Sequence, residues 1–132
     1  MQTLKFHPQF LSAILSKRKC HTIRRDTSVT TGDWLNCESA DEDNQYVSVY
    51  VQCRYTQPIV ISEHGALVID GVDLDPSDIK SVIYSEGFDS EQDFIRFFKA
   101  TYGLPFQGVL IHWHTPVHLH AVEDSHVALP LP

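Results

Sequence analysis

The chain has 132 residues, 42% of them hydrophobic, and a formal net charge of −7; this suits one domain with its own core and excludes global disorder. Such an acidic balance does not favour nonspecific binding to a long polyanion, and no apolar run approaches the roughly 20 residues that span a bilayer. MQTLKFHPQF lacks the apolar core of a signal peptide, and Cys20, Cys37 and Cys53 are too widely spaced for a disulfide framework, so the expectation is a soluble, cytoplasmic protein with reduced thiols.

Leu4 to Phe6 reads as a short opening strand. Pro8 suits the first turn of a helix carrying Phe10, Ile14 and Leu15 on one side and ending near Lys17. A basic run, KRKCHTIRR, follows from Lys17 to Arg25. It stands out because the first 30 residues hold six Lys/Arg and one Asp, whereas the remaining 102 hold four Lys/Arg and sixteen Asp/Glu. Within it, Cys20 to Arg24 predicts a strand with His21 and Ile23 on one face and Thr22 and Arg24 on the other. Thr31-Gly32-Asp33 marks a turn before a Trp34 to Cys37 strand, and Glu38 to Asn44 reads as an exposed acidic loop.

Tyr46 to Tyr55 alternates most clearly. Val47, Val49, Val51 and Cys53 share one face, and Tyr46, Ser48, Tyr50, Gln52 and Arg54 the other. Ile59 to Ile61 and Ala66 to Ile69 are shorter strands around the His64-Gly65 turn. Asp75 caps a helix with Pro76 in its first position and Ile79, Val82 and Ile83 as the buried stripe. Ser90 and Asp93 have capping-box spacing, and Phe94, Phe97, Phe98 and Tyr102 make the next helix amphipathic, a stripe better explained by packing than by a cofactor. Gly103 stops it, and Phe106 to His114 closes the domain as a strand. Strands on both sides of a helical insertion predict an α+β fold, a small mixed β barrel with peripheral helices. Residues 1–114 form one domain and 115–132 a Pro/His-containing extension packed on it or partly ordered.

The candidate ligand contacts are Arg18, Lys19, Arg24 and Arg25 from the basic run, with Trp34 and Tyr50 as stacking surfaces. Thr22 and Arg24 on one strand face, with Lys19 leading in, bring a hydroxyl, a planar guanidinium and an ammonium towards one cavity. Arg24 suits a carboxylate or phosphate; the plainer alternative pairs it with a loop Asp. Glu86 lies in the connection between the two later helices, where it can meet Lys19 as an ion pair or as a proton-shuttling partner. His112 and His114 are one strand period apart, and His118 and His120 repeat that spacing. A metal site there needs the chain to double back at Pro116, and the H-E-x-x-H pattern and cysteine pairs are missing, so no metal or cofactor is assigned. With no Gly-rich phosphate loop, ATP-dependent chemistry is disfavoured.

FLSAILSKRKCHTIRR, the following Thr31-Gly32-Asp33, the stretch SEGFDSEQDFIRFFKATYG and the closing GVLIHW resemble the ASCH domain of the PUA-like superfamily. The likeness spans most of residues 3–114, and Lys19, Thr22 and Arg24 match its Lys-x-x-Thr-x-Arg pattern. The resemblance implies a PUA-like β barrel whose cleft, between barrel and helices, binds RNA, a nucleotide or a modified nucleoside. It is weaker to a bacterial branch that deacetylates N(4)-acetylcytidine. That branch implies a metal-independent amidohydrolase with Lys19, Thr22 and Glu86 as catalytic residues, in which Lys19→Ala loses hydrolysis and keeps its fold. The insertion from Gln57 to Ser81 and the His-rich tail depart from that branch. Three readings remain open: a noncatalytic RNA or nucleotide binder, the amidohydrolase, and a protein-interaction module with an acidic outer face. None involves a membrane, and a monomer or weak dimer is expected.

Overall fold

The computed structural model describes residues 1–40, 43, 45–114 and, for the backbone, 118–122. Strand β1 (Gln2–Lys5) leads through a 3-10 turn (Pro8–Phe10) into α1 (Leu11–Leu15), followed by β2 (His21–Arg24), β3 (Trp34–Ala40) and β4 (Tyr46–Ile61). Strands β5 (Leu67–Ile69) and β6 (Val72–Asp73) precede α2 (Pro76–Glu86) and α3 (Glu91–Thr101), and β7 (Phe106–Trp113) and β8 (His118–Val122) complete the order. The fold is mixed α+β. Residues 115–117 and 123–132 of the extension lie outside the described residues, and β8 pairs with β4.

The sixteen-residue β4 is the spine of the sheet. Its first half pairs antiparallel with β3 and β8, and its second half with β7 and β5. Strand β1 runs parallel to β3, and β2 antiparallel to β7. The expected barrel is not formed: among the described residues no ladder joins β1 or β8 to β2 or β6. Curvature comes instead from within β4, where the register shifts between Cys53 and Tyr55 as a bulge and re-aims the strand from one partner set to the other.

Two local expectations also change. Ile59 to Ile61 is the end of β4, because Pro58 does not interrupt it: lacking a donor, Pro58 still accepts through its carbonyl from Asp70 N–H (3.1 Å). The acidic segment after Cys37 stays in β3 as far as Ala40. A β5–β6 hairpin that sequence reasoning missed turns at Asp70-Gly71, whose φ values of 53° and 75° are those of a type I′ turn. Among the described residues no helix is long and apolar enough to cross a membrane.

Apolar side chains pack on both faces of the sheet. One cluster joins Ile23, Ile59, Ile61 and Leu110 to Phe94 and Phe98 of α3. The other gathers Ile14, Leu35, Val49, Val51, Ile111 and Trp113. The helix starts follow the caps: Asp75 accepts from Asp78 N–H (2.8 Å) and Ser90 from Asp93 N–H (3.1 Å). Helix α2 ends at Gly87, whose φ of 107° lies in the left-handed region. A Cβ there would stand 3.0 Å from Phe10 Cδ1. Gly87→Ala is therefore expected to lose about 1–3 kcal/mol of stability, read as a lower urea midpoint with the denaturant slope unchanged.

Candidate functional site

A short reversal brings Lys19 beneath the end of α2. Helix α1 stops at Ser16, Lys17 takes a left-handed φ of 68°, and Lys19 N–H returns to Ala13 O (2.8 Å) before β2 begins. Glu86 is the last residue of α2, so its carbonyl is one of those the helix leaves without an internal partner. Lys19 Nζ donates to that carbonyl at 2.7 Å and to the Glu86 carboxylate Oε2 at 3.0 Å. A cation at a helix C-terminus also meets the negative end of the helix dipole.

His21 supplies the third group. Its Nδ1 lies 2.6 Å from the same Oε2. Because that oxygen belongs to an ionised carboxylate, Nδ1 carries the proton and donates. Lys19, His21 and Glu86 are all buried, at 2%, 6% and 2% exposure. Burial pulls the Lys19 ammonium below its ordinary pKa of 10.5, against the raising effect of Glu86. Burial also works against the Glu86 carboxylate, but the charge of Lys19 and the bond from His21 outweigh it and hold the group below 4.5.

Lys19 and Glu86 border a cavity of about 100 Å³ between β2, the start of the chain and the two helices. On its wall stand Thr22, Arg24, Phe6, Phe97, Phe98 and Tyr102. Arg24 spreads over the Phe6 ring at 4.6 Å, and its Nε reaches Thr22 Oγ1 at 3.4 Å. Cys37 carries no such chemistry. Burial pushes its thiol up to about 12 despite Arg24 and Lys19 nearby, so it stays protonated and unreactive. All three cysteines are free thiols.

Lys19, Thr22, Arg24 and Glu86 thus share one cavity. The other expected ligand contacts do not line it. Arg18 bonds Tyr84 O (2.8 Å) and Phe88 O (2.7 Å) and pairs with Asp89, clamping the α2–α3 turn. Arg25 donates to Tyr102 O at 2.9 Å and covers that ring. Trp34 and Tyr50 belong to the β3–β4 half of the sheet, where Leu35, Cys37, Val49 and Val51 face the second core. Alternation turns Trp34 and Tyr50 to the opposite face.

Sequence reasoning missed His21 because it grouped Lys19 with the Thr22–Arg24 face. Lys19 and His21 are two residues apart, one strand period, and that spacing was the available signal. Beyond His21, an edge-on ring contact at 5.3 Å reaches His112, which stacks on Tyr55 at 4.2 Å. His112 Nε2–H donates to Gln57 Oε1 (2.8 Å), since Gln57 gives its own N–H to Asp70. Among the described residues no three His, Cys, Asp or Glu side chains form a metal-holding group; the side chains of His118 and His120 lie outside them.

Comparison with protein-family models, with curated proteins and with solved structures finds no match.

Burial of the Lys19–Glu86 pair revises the expectation for Lys19→Ala. Removing one partner strands the other charge, and the variant is expected to lose about 3–5 kcal/mol in urea unfolding. His21→Leu removes a donor to a charged acceptor and should cost about 1.5–3 kcal/mol, whereas His21→Asn keeps a donor near the Nδ1 position and recovers most of it. Acid acts on the same region. Burial, with the charge of His21, lowers the His112 pKa from 6.5 to about 4, so the unfolded chain binds that proton first. Stability is expected to be intact above pH 6.5 and to fall towards about 4, and His112→Gln should flatten that part of the pH–stability curve.

Proposed function

We propose that the cavity is the cleft of an ASCH-like, PUA-like protein and binds a nucleotide or modified nucleoside. The observation that carries this reading is the convergence of a buried ion pair, a hydroxyl and a guanidinium on a small aromatic-walled space. Aromatic faces suit a planar base, and few polar groups suffice to fix its orientation. A space of about 100 Å³ in a protein of net charge −7 takes in at most one base and disfavours a long duplex.

A second reading is favoured by one specific contact, the 3.0 Å approach of Lys19 Nζ to Glu86 Oε2. Burial that lowers an amine's pKa enlarges the fraction available as free base. In amide hydrolysis of an acetylated base, Lys19 as free amine removes a proton from water while the water oxygen bonds to the acetyl carbonyl carbon. Thr22 Oγ1 donates to the developing oxyanion. Glu86 relays the proton from Lys19 to the exocyclic nitrogen, the C–N bond breaks, and acetate and the unmodified base leave.

The test is incubation with paired acetylated and unmodified nucleosides and nucleotides, monitoring both product and binding. Hydrolysis predicts acetate release that falls roughly a hundredfold in Thr22→Val, a variant that leaves the Lys19–Glu86 pair in place. Full turnover by Lys19→Ala protein shown to be folded would sink the catalytic assignment. Saturable binding without product selects the binder, and no binding by any member of the panel ends both readings.

A further inference from the structure

We propose that the open end of the cavity holds a single phosphate group, gripped by Arg24 and Lys5, so that the ligand is a mononucleotide rather than a free nucleoside or a run of RNA. This rests on the nucleotide-cleft reading and narrows it to one ligand class.

A charge withdrawn from water needs an opposite charge or a full set of acceptors. Of the cations here that are withdrawn from solvent, Lys19 has an opposite charge in Glu86 and Arg18 has one in Asp89. Arg24 does not. It is half-buried, and burial lowers its pKa. Its contacts are Lys5 O at 2.9 Å, Thr22 Oγ1 at 3.4 Å and the Phe6 ring, and among the described residues no carboxylate pairs with it. A guanidinium left in that state beside a cavity offers its remaining N–H groups to an anion, and its flat fork matches two phosphate oxygens.

Lys5 stands on the same lip. It lines the cavity, is exposed, and has no ion pair among the described residues. Its carbonyl accepts from Arg24 at 2.9 Å, which holds the two residues together. Three basic residues, Lys5, Lys19 and Arg24, line the cavity against one carboxylate, Glu86, which Lys19 already neutralises. The space is therefore positive by two formal charges within a chain of net charge −7. That field draws in a small anion and focuses it at one point.

The number of phosphates follows from what surrounds the mouth. A bound strand needs a track of cations along its backbone. Arg18 and Arg25 cannot extend one, because they are turned onto Tyr84, Phe88 and Tyr102 carbonyls of the protein itself. Beyond residue 30 the chain holds four Lys/Arg against sixteen Asp/Glu. Among the described residues no Lys or Arg beyond Lys5, Lys19 and Arg24 lines the cavity to hold a second phosphate.

Calorimetric titration of the full chain with the common ribonucleosides, their 5′-monophosphates, inorganic phosphate and a single-stranded RNA of about eight nucleotides decides the matter. At least one monophosphate should bind roughly tenfold or more tightly than its nucleoside, with a slope of about −1 for log K against log salt. Arg24→Gln and Lys5→Gln should each narrow that gap between monophosphate and nucleoside; the exposed Lys5 variant serves if Arg24→Gln disturbs packing on Phe6. Equal binding of nucleoside and monophosphate overturns the phosphate subsite while leaving the base cleft standing. Inorganic phosphate binding as well as any monophosphate, and weakened by the same variants, keeps the subsite and removes base recognition. RNA binding more tightly than every monophosphate, with a much steeper salt slope, overturns the single-phosphate claim in favour of an extended track. Absence of binding by all four probe classes overturns the subsite together with the cleft.

Discussion

A carboxylate at 2% exposure stays ionised only if its surroundings replace the water it has lost. Glu86 is held by two donors on one oxygen, Lys19 Nζ at 3.0 Å and His21 Nδ1 at 2.6 Å, while the same lysine bonds its backbone carbonyl. Each partner depends on the others. Lys19 is buried because Glu86 neutralises it, and Glu86 is charged because Lys19 and His21 outweigh the cost of burial. The cluster also ties β2, which belongs to the sheet, to the end of α2, which does not.

That tie explains several features that look independent. Gly87 ends α2 immediately after Glu86, and its left-handed turn lets Phe10 and Ala13 of the N-terminal helix pack close behind it. Arg18, one residue before Lys19, reaches the far side of the same turn through Tyr84 and Phe88 carbonyls and Asp89. The α2–α3 connection is gripped from both sides by adjacent residues of the basic run. Buried pairs of this kind add little net stability over an apolar replacement, yet they are costly to break singly. Here that cost fixes a buried ion pair on rigid elements at a cavity wall.

Charge is organised at two scales. The chain as a whole is acidic, but its cations are concentrated early, and folding divides them by task. Arg18 and Arg25 brace helix ends, Lys19 is enclosed with Glu86, and Arg24 and Lys5 remain around the open end of the cavity. A basic run in the sequence thus becomes one small positive opening rather than a basic surface.

Much of the local structure was legible because it depends on neighbours a few residues apart. Asp75 and Ser90 cap their helices as their spacing requires, and Phe94 and Phe98 turn inward as a helical period dictates. The alternation from Val47 to Cys53 places those residues in the core. The nearness of Lys19 to Glu86, 67 residues apart, was expected from the place of Glu86 at the helix connection, and their atoms meet. Tertiary structure alone decided the rest. The register shift after Cys53 lets one continuous strand, running through Pro58, pair first with β3 and β8 and then with β7 and β5. It also decided that Lys19 sides with His21, and which arginines keep a free face. Dihedral preferences and periodicity act over one or two turns of chain, whereas the partner of a buried charge is set by whichever distant group packing brings within hydrogen-bond reach.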